Sequence, residues 1–73
     1  MTLDQLRVGQ GARVIALRED CSMKRRLQDL GLLPGAQVTA LMKSPLGDPT
    51  AYAVCGAVIA IRRQDAKGVE IGI

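Results

Sequence analysis

The sequence predicts an all-β fold: about five short strands curled into one small sheet, with a single short α-helix inserted after the first strand. Three observations predict it. Short segments rich in Val, Ile, Leu and Thr recur along the chain, and eight glycines fall almost wholly between them. Only one segment, Met23 to Leu30, carries its apolar residues at helical spacing. The chain has 73 residues, enough for one domain, read here as continuous over 1–73.

The elements follow in order. Thr2-Leu3-Asp4-Gln5 has the T-x-x-Q pattern of a capping box, so a short helical turn is expected at the start, with Leu3 and Leu6 as its core contacts. Gly9 and Gly11 mark the turn that follows. Arg13 to Leu17 (RVIAL) reads as the first strand. Ser22 is placed to cap the helix. Within it, Met23, Leu27 and Leu30 share one face at i, i+4, i+7, which turns Lys24, Arg25, Gln28 and Asp29 outward. Gly31 is positioned to end the helix in the left-handed conformation.

Leu33-Pro34-Gly35-Ala36 is a type II turn signal, with proline at the second position and glycine at the third. Gln37 to Lys43 reads as the second strand. Pro45-Leu46-Gly47-Asp48-Pro49 is a rigid loop, in which Asp48 is expected to accept backbone N–H groups of the turn. Ala51 to Val54 and Val58 to Arg62 read as a hairpin around Gly56. Gln64-Asp65-Ala66 reads as a turn, and Val69 to Ile73 as the last strand. A sheet this short gains by closing on itself, because closure removes exposed edges, so a small SH3-like barrel is the expected architecture.

Composition narrows the chemistry. Hydrophobic residues make up 48% of the chain, too many for disorder, yet Tyr52 is the sole aromatic. A core of Val, Ile, Leu, Met and Ala packs less specifically than one with large anchors, and a partner is expected to add rigidity. The longest apolar stretch, Ala51 to Ile61, is broken by Gly56 and falls well short of the ~20 residues of a spanning helix. There is no His, no phosphate-binding loop, no G-x-S-x-G elbow, and no base for Ser22 or Ser44. A catalytic site needs a nucleophile or base and a group that orients it, so no enzyme activity, cofactor or resident metal is expected. Cys21 and Cys55 form no C-x-x-C pair. The sequence leaves a disulfide between them open. The lack of a signal peptide favours a reducing compartment and two thiols that serve as small buried apolar residues.

Two features point to binding. Lys24-Arg25-Arg26 is the densest charge cluster in a chain of net charge +3. It sits in the first turn of the predicted helix, where the dipole disfavours cations, so helix stability does not explain it. The plain alternative is a solvated face partly compensated by Glu19 and Asp20. The loop Pro45 to Pro49 is either a simple connection or a pre-shaped docking surface, since a rigid loop loses little entropy on binding.

Several segments together resemble the FeoA family. They are Arg26 to Gly35 (RLQDLGLLPG), Pro45 to Pro49 (PLGDP), Gly56 with Ile59-Ala60-Ile61-Arg62, and Asp65-Ala66 with Val69, in the family's order and spacing over about Leu3 to Ile73. Ile61 stands where Leu is commoner, and Ala57 where a larger residue is frequent. The resemblance implies an SH3-like barrel with an inserted helical segment. It also implies a cytoplasmic, non-enzymatic accessory or adaptor protein of bacterial Fe(II) uptake, whose partner is the FeoB membrane transporter. On that reading Lys24, Arg25, Arg26 and Leu46 are the expected partner-facing residues, and Arg62 is expected to bridge the barrel to the loop through Asp48 or a carbonyl. No specific nucleic acid and no direct membrane insertion are expected. The rival is a small barrel that binds nucleic acid or senses metal, like the C-terminal domain of some metal-dependent repressors. Scarce aromatics count against single-strand binding, which relies on base stacking. Two thiols without His would need carboxylates or a second subunit to complete a four-ligand site.

Overall fold

The computed structural model describes residues 1–21 and 23–72, so the expected cap Ser22 and the terminal Ile73 lie outside the described residues. The order is a 3-10 turn Leu3–Gln5, β1 Gly11–Leu17, α1 Lys24–Asp29, β2 Gln37–Lys43, β3 Thr50–Val54, β4 Ala57–Ile61, α2 Arg63–Ala66 and β5 Val69–Gly72. The strands form one antiparallel sheet in the order β4-β3-β2-β1-β5. The fold is all-β and SH3-like. Two corrections concern local elements. Gln64-Asp65-Ala66 is not a plain turn but most of the short helix α2. Gly9 lies in the expected turn, whereas Gly11 opens β1.

The strand faces follow the alternation of the sequence. Thr50, Tyr52 and Val54 of β3 point inward and are buried, as are Val38 and Ala40 of β2. Two bulges break that alternation. The β1–β5 register shifts between Val14 and Ala16, and the β2–β3 register between Ala40 and Met42. Ile15 and Leu41 are the extra residues, and past them Ala16 and Met42, which strict alternation would bury, are exposed, while Leu17 turns into the core. Bulges also increase local twist, which is how so short a sheet curls around a core.

Helix α1 ends in a full Schellman motif. The Leu32 N–H donates to the Leu27 carbonyl at 3.0 Å and the Gly31 N–H to the Gln28 carbonyl at 3.0 Å, with Gly31 at φ +104. This geometry corrects the expected apolar face. Leu27 is buried, but Met23 is only partly buried and Leu30 is 40% exposed. The chain reverses at Gly31 before the i+7 position completes another turn, so Leu32 enters the core in place of Leu30, in the same buried cluster as Leu27. At the other end of the chain lies the capping box of Thr2 and Gln5. The Thr2 N–H donates to Gln5 Oε1 at 2.9 Å, while the Thr2 hydroxyl turns to Asp4. Leu3 and Leu6 are buried as expected.

The cysteines differ from each other. Both are free thiols. Cys21 packs against the core and against Gly68, where a Cβ would come within 2.7 Å of its sulfur. Cys55 is exposed, not buried, because it forms the tight β3–β4 turn with Gly56. Both turn residues have positive φ, +51 and +81, the pattern of a two-residue type I′ hairpin.

Tyr52 is buried beneath the sheet, and its hydroxyl donates to the Leu3 carbonyl at 3.4 Å. Burial holds its phenol pKa above the ordinary 10.0. The unfolded chain therefore ionises first, so the stability from this group is complete below about pH 10 and falls as pH rises through the folded value. Because Tyr52 is the only tyrosine, phenolate absorbance should rise together with loss of the β-sheet dichroism in an alkaline titration. Ionisation of a still-folded chain at the ordinary pKa would contradict this burial.

Candidate protein-docking site

The four residues singled out by sequence do not share one environment. Lys24 is not a free outward cation. Its Nζ donates to Glu19 Oε1 at 2.7 Å, and its side chain is only 28% accessible. The same contact, first as a hydrogen bond and then as a charge, lowers the Glu19 pKa. Glu19 thus neutralises one cation of the cluster. Arg25 and Arg26 are exposed, and neither joins an ion pair among the described residues.

Arg26 lies on the wall of a cleft of about 240 Å³ between α1 and β4. Met23, Leu27 and Leu30 form the helix side, Ile59 and Ile61 the strand side, and Asp65 of α2 closes one end. The exposed Leu30 and half-buried Met23 acquire a meaning here: they are the apolar lip of this cleft. An apolar cleft with one guanidinium and one carboxylate at its rim is suited to hold a protein segment.

Leu46 stands apart, at the tip of the β2–β3 loop, with 94% of its surface exposed. Nothing in the fold requires an apolar side chain there. The loop beneath it is well fixed. Ser44 Oγ donates to the Asp48 carbonyl at 2.7 Å, and the Ser44 N–H to the Pro49 carbonyl at 3.1 Å. Asp48 does accept a backbone N–H, but from outside its own turn: the donor is Arg63, at 2.8 Å. Asp48 thereby ties the loop to the first residue of α2. The expected bridge from the Arg62 side chain is thus corrected to one from the Arg63 backbone, and Arg62 itself is exposed. The prolines of this loop border a second, almost wholly apolar cleft of about 250 Å³, floored by Met42, Ala51 and Ala60.

Sequence reasoning missed two groups. The outer apolar cleft depends on β2, β3 and β4 lying side by side, with Met42 opposite Ala51 and Ala51 opposite Ala60. That juxtaposition has no local signature. Lys43 of β2 and Arg63 and Lys67 at the two ends of α2, with Asp4, surround the hollow over Thr50 and Tyr52. Lys43 lies twenty residues before Arg63, so the sequence alone does not bring it to the other two. Among the described residues no group of three or more Cys, Asp or Glu gathers where a metal ion could be held, and the chain has no His. Tyr52, the one ring available for base stacking, is buried.

The family model of the FeoA domain matches residues 1–72. This chain belongs to the FeoA family. Its fold superposes on the FeoA of Chlorobium tepidum with a TM-score of 0.91 at 37% identity, covering 100% of this chain and 70% of that one. It superposes on the FeoA of Stenotrophomonas maltophilia, described as a prokaryotic SH3 domain protein complexed with zinc, with a TM-score of 0.87 at 30% identity, covering 99% of this chain and 89% of that one. A Porphyromonas gingivalis protein, named as a fusion of Fe(2+) transport protein A with the Fe(2+) transporter FeoB, is 27% identical over 71 residues. That match takes in 97% of this chain but only 8% of the fusion protein. No helix among the described residues of this FeoA-family chain is long and apolar enough to cross a membrane.

Proposed function

We propose that this FeoA-family chain, a single unit over residues 1–73, is a cytoplasmic, non-enzymatic adaptor of Fe(II) uptake that acts by binding the cytoplasmic part of an FeoB-type transporter. The observation that carries the reading is the fusion relative. There a segment matching nearly all of this chain shares a polypeptide with the transporter. Fusing two proteins raises their effective concentration for each other, which is useful when the separate chains must meet to work. The surface described above supports the same reading. It offers two apolar clefts, the unpaired Arg26 at the rim of one, and the exposed Leu46. Arg25, Arg26 and Leu46 are the proposed contact residues, and Lys24 acts through its pairing with Glu19.

Iron uptake by cells tests the reading. Cells that lack this chain but retain the transporter should import Fe(II) more slowly, and supplying the chain should restore the rate. Uptake that is indifferent to the chain would contradict the adaptor role.

A further inference from the structure

The two edges of the sheet are finished differently. On β5 the N-terminal segment covers the outer edge: the Ile71 N–H donates to the Met1 carbonyl at 2.8 Å, and Thr2 bridges to Glu70. β4, at the other end of the sheet, pairs only with β3 among the described residues. The two-residue turn at Cys55-Gly56 makes Val54–Ala57 a hydrogen-bonded pair, and the pattern alternates from there along the register to Tyr52–Ile59 and Thr50–Ile61. The backbone N–H and C=O groups of Val58 and Ala60 therefore point away from β3, out of the sheet. The strand reads AVIAI, with no proline, charge or bulge to blunt it.

The surroundings of this edge are specific. An added strand would send alternate side chains to the two faces of the sheet. On one face lies the cleft between α1 and β4, and on the other lies the cleft beside the proline loop. Ala60 borders both. The free charges at this edge are mainly positive: Arg26 lines the first cleft, Lys43 the second, and Arg62 directly follows the strand, none of them ion-paired among the described residues. Asp65 is the carboxylate that shares the first cleft.

We infer that β4 accepts an extended segment of a partner protein as a sixth strand. The segment runs for about five residues, the length of β4, with apolar side chains for both clefts and carboxylates at its flanks. This inference deepens the adaptor reading and rests on it for the existence of a protein partner. It also explains why the helix and the loop, far apart in the sequence, both carry binding character: they wall the two sides of one edge.

The test is amide hydrogen exchange by NMR on the intact chain, alone and with two probes. One probe is the cytoplasmic part of an FeoB-type transporter. The other is the synthetic peptide EVTVTVE, with KVTVTVK as its charge-reversed control. In the free chain the Val58 and Ala60 amides should exchange far faster than those of Ile59 and Ile61. The transporter part should slow them by on the order of tenfold or more, and EVTVTVE should do so more than KVTVTVK. Ala60→Pro removes an N–H that serves no internal bond, so its dichroism should match wild type while affinity falls by about tenfold or more. Should the variant misfold, the wild-type exchange pattern still decides. If the transporter part binds while both amides stay unprotected, the edge inference fails and the adaptor reading stands. If the transporter part does not bind but EVTVTVE protects both amides, the edge site stands and the adaptor reading fails. If neither probe protects them, the inference is overturned. Protection that grows with the concentration of the free chain alone would assign the edge to a second copy and overturn the partner proposed here.

Discussion

Leu27→Ala should abolish or nearly abolish the folded state at 37 °C. Leu27 is 3% exposed and belongs to the same core cluster as Leu32 at the helix end. Removing a buried leucine side chain costs roughly 2–5 kcal/mol, from lost transfer energy and the cavity left behind. Small domains have little stability to lose, often only about 5 kcal/mol in total. No large aromatic stands nearby to collapse into the space, since Tyr52 is the only one in the chain. Thermal or urea unfolding followed by circular dichroism gives the answer. A shift in midpoint typical of an exposed site would show that α1 is loosely held and that Leu27 is not an anchor.

The second large effect is on association, not stability. Arg25→Glu with Arg26→Glu should fold normally, because both side chains are exposed and exposed substitutions usually change stability by less than about 0.5 kcal/mol. The pair lowers the net charge from +3 by four, to −1. It also reverses the charge of Arg26 at the rim of the α1–β4 cleft. Encounter with an acidic segment should slow by about tenfold or more at low salt, with a smaller difference at high salt where charges are screened. Stopped-flow association with the transporter's cytoplasmic part at two ionic strengths checks this. Arg25 and Arg26 are the informative choice because a reversed Lys24 would face Glu19 at close range and disturb the loop before α1. Unchanged rates would make the arginines solvated surface and move attention to Leu46.

Much of the fold was legible because its signals are local. β2 has the bounds that hydrophobic alternation and the Pro34-Gly35 turn predict. The Gly31 helix end, the hairpin around Gly56 and the burial of Leu3 and Leu6 likewise follow from residues a few positions apart. The misses have physical causes. Leu30 satisfies the i+7 spacing, yet spacing says nothing about where the backbone reverses, and the Schellman turn gives its place to Leu32. The bulges at Ile15 and Leu41 are invisible to a period-two reading, which would bury residues that the extra position turns outward. Cys55 looks like a buried apolar residue until the turn type is known. The short helix α2 has only four residues, too few for a periodic signal.

The candidate site was legible only in part. The basic cluster and the proline loop stand out in sequence because each is compact. Their relation to each other does not, because it runs through β4. The sequence also overstated Lys24, whose charge is taken up by Glu19 five residues earlier.

Direct docking on the transporter is tested by calorimetric titration of the intact chain with the cytoplasmic part of an FeoB-type transporter. Binding should be saturable, should weaken with added salt because Arg26 and Lys43 border the clefts, and should show a negative heat-capacity change from burial of both apolar clefts. Absence of binding at low ionic strength, with both proteins folded, would contradict it.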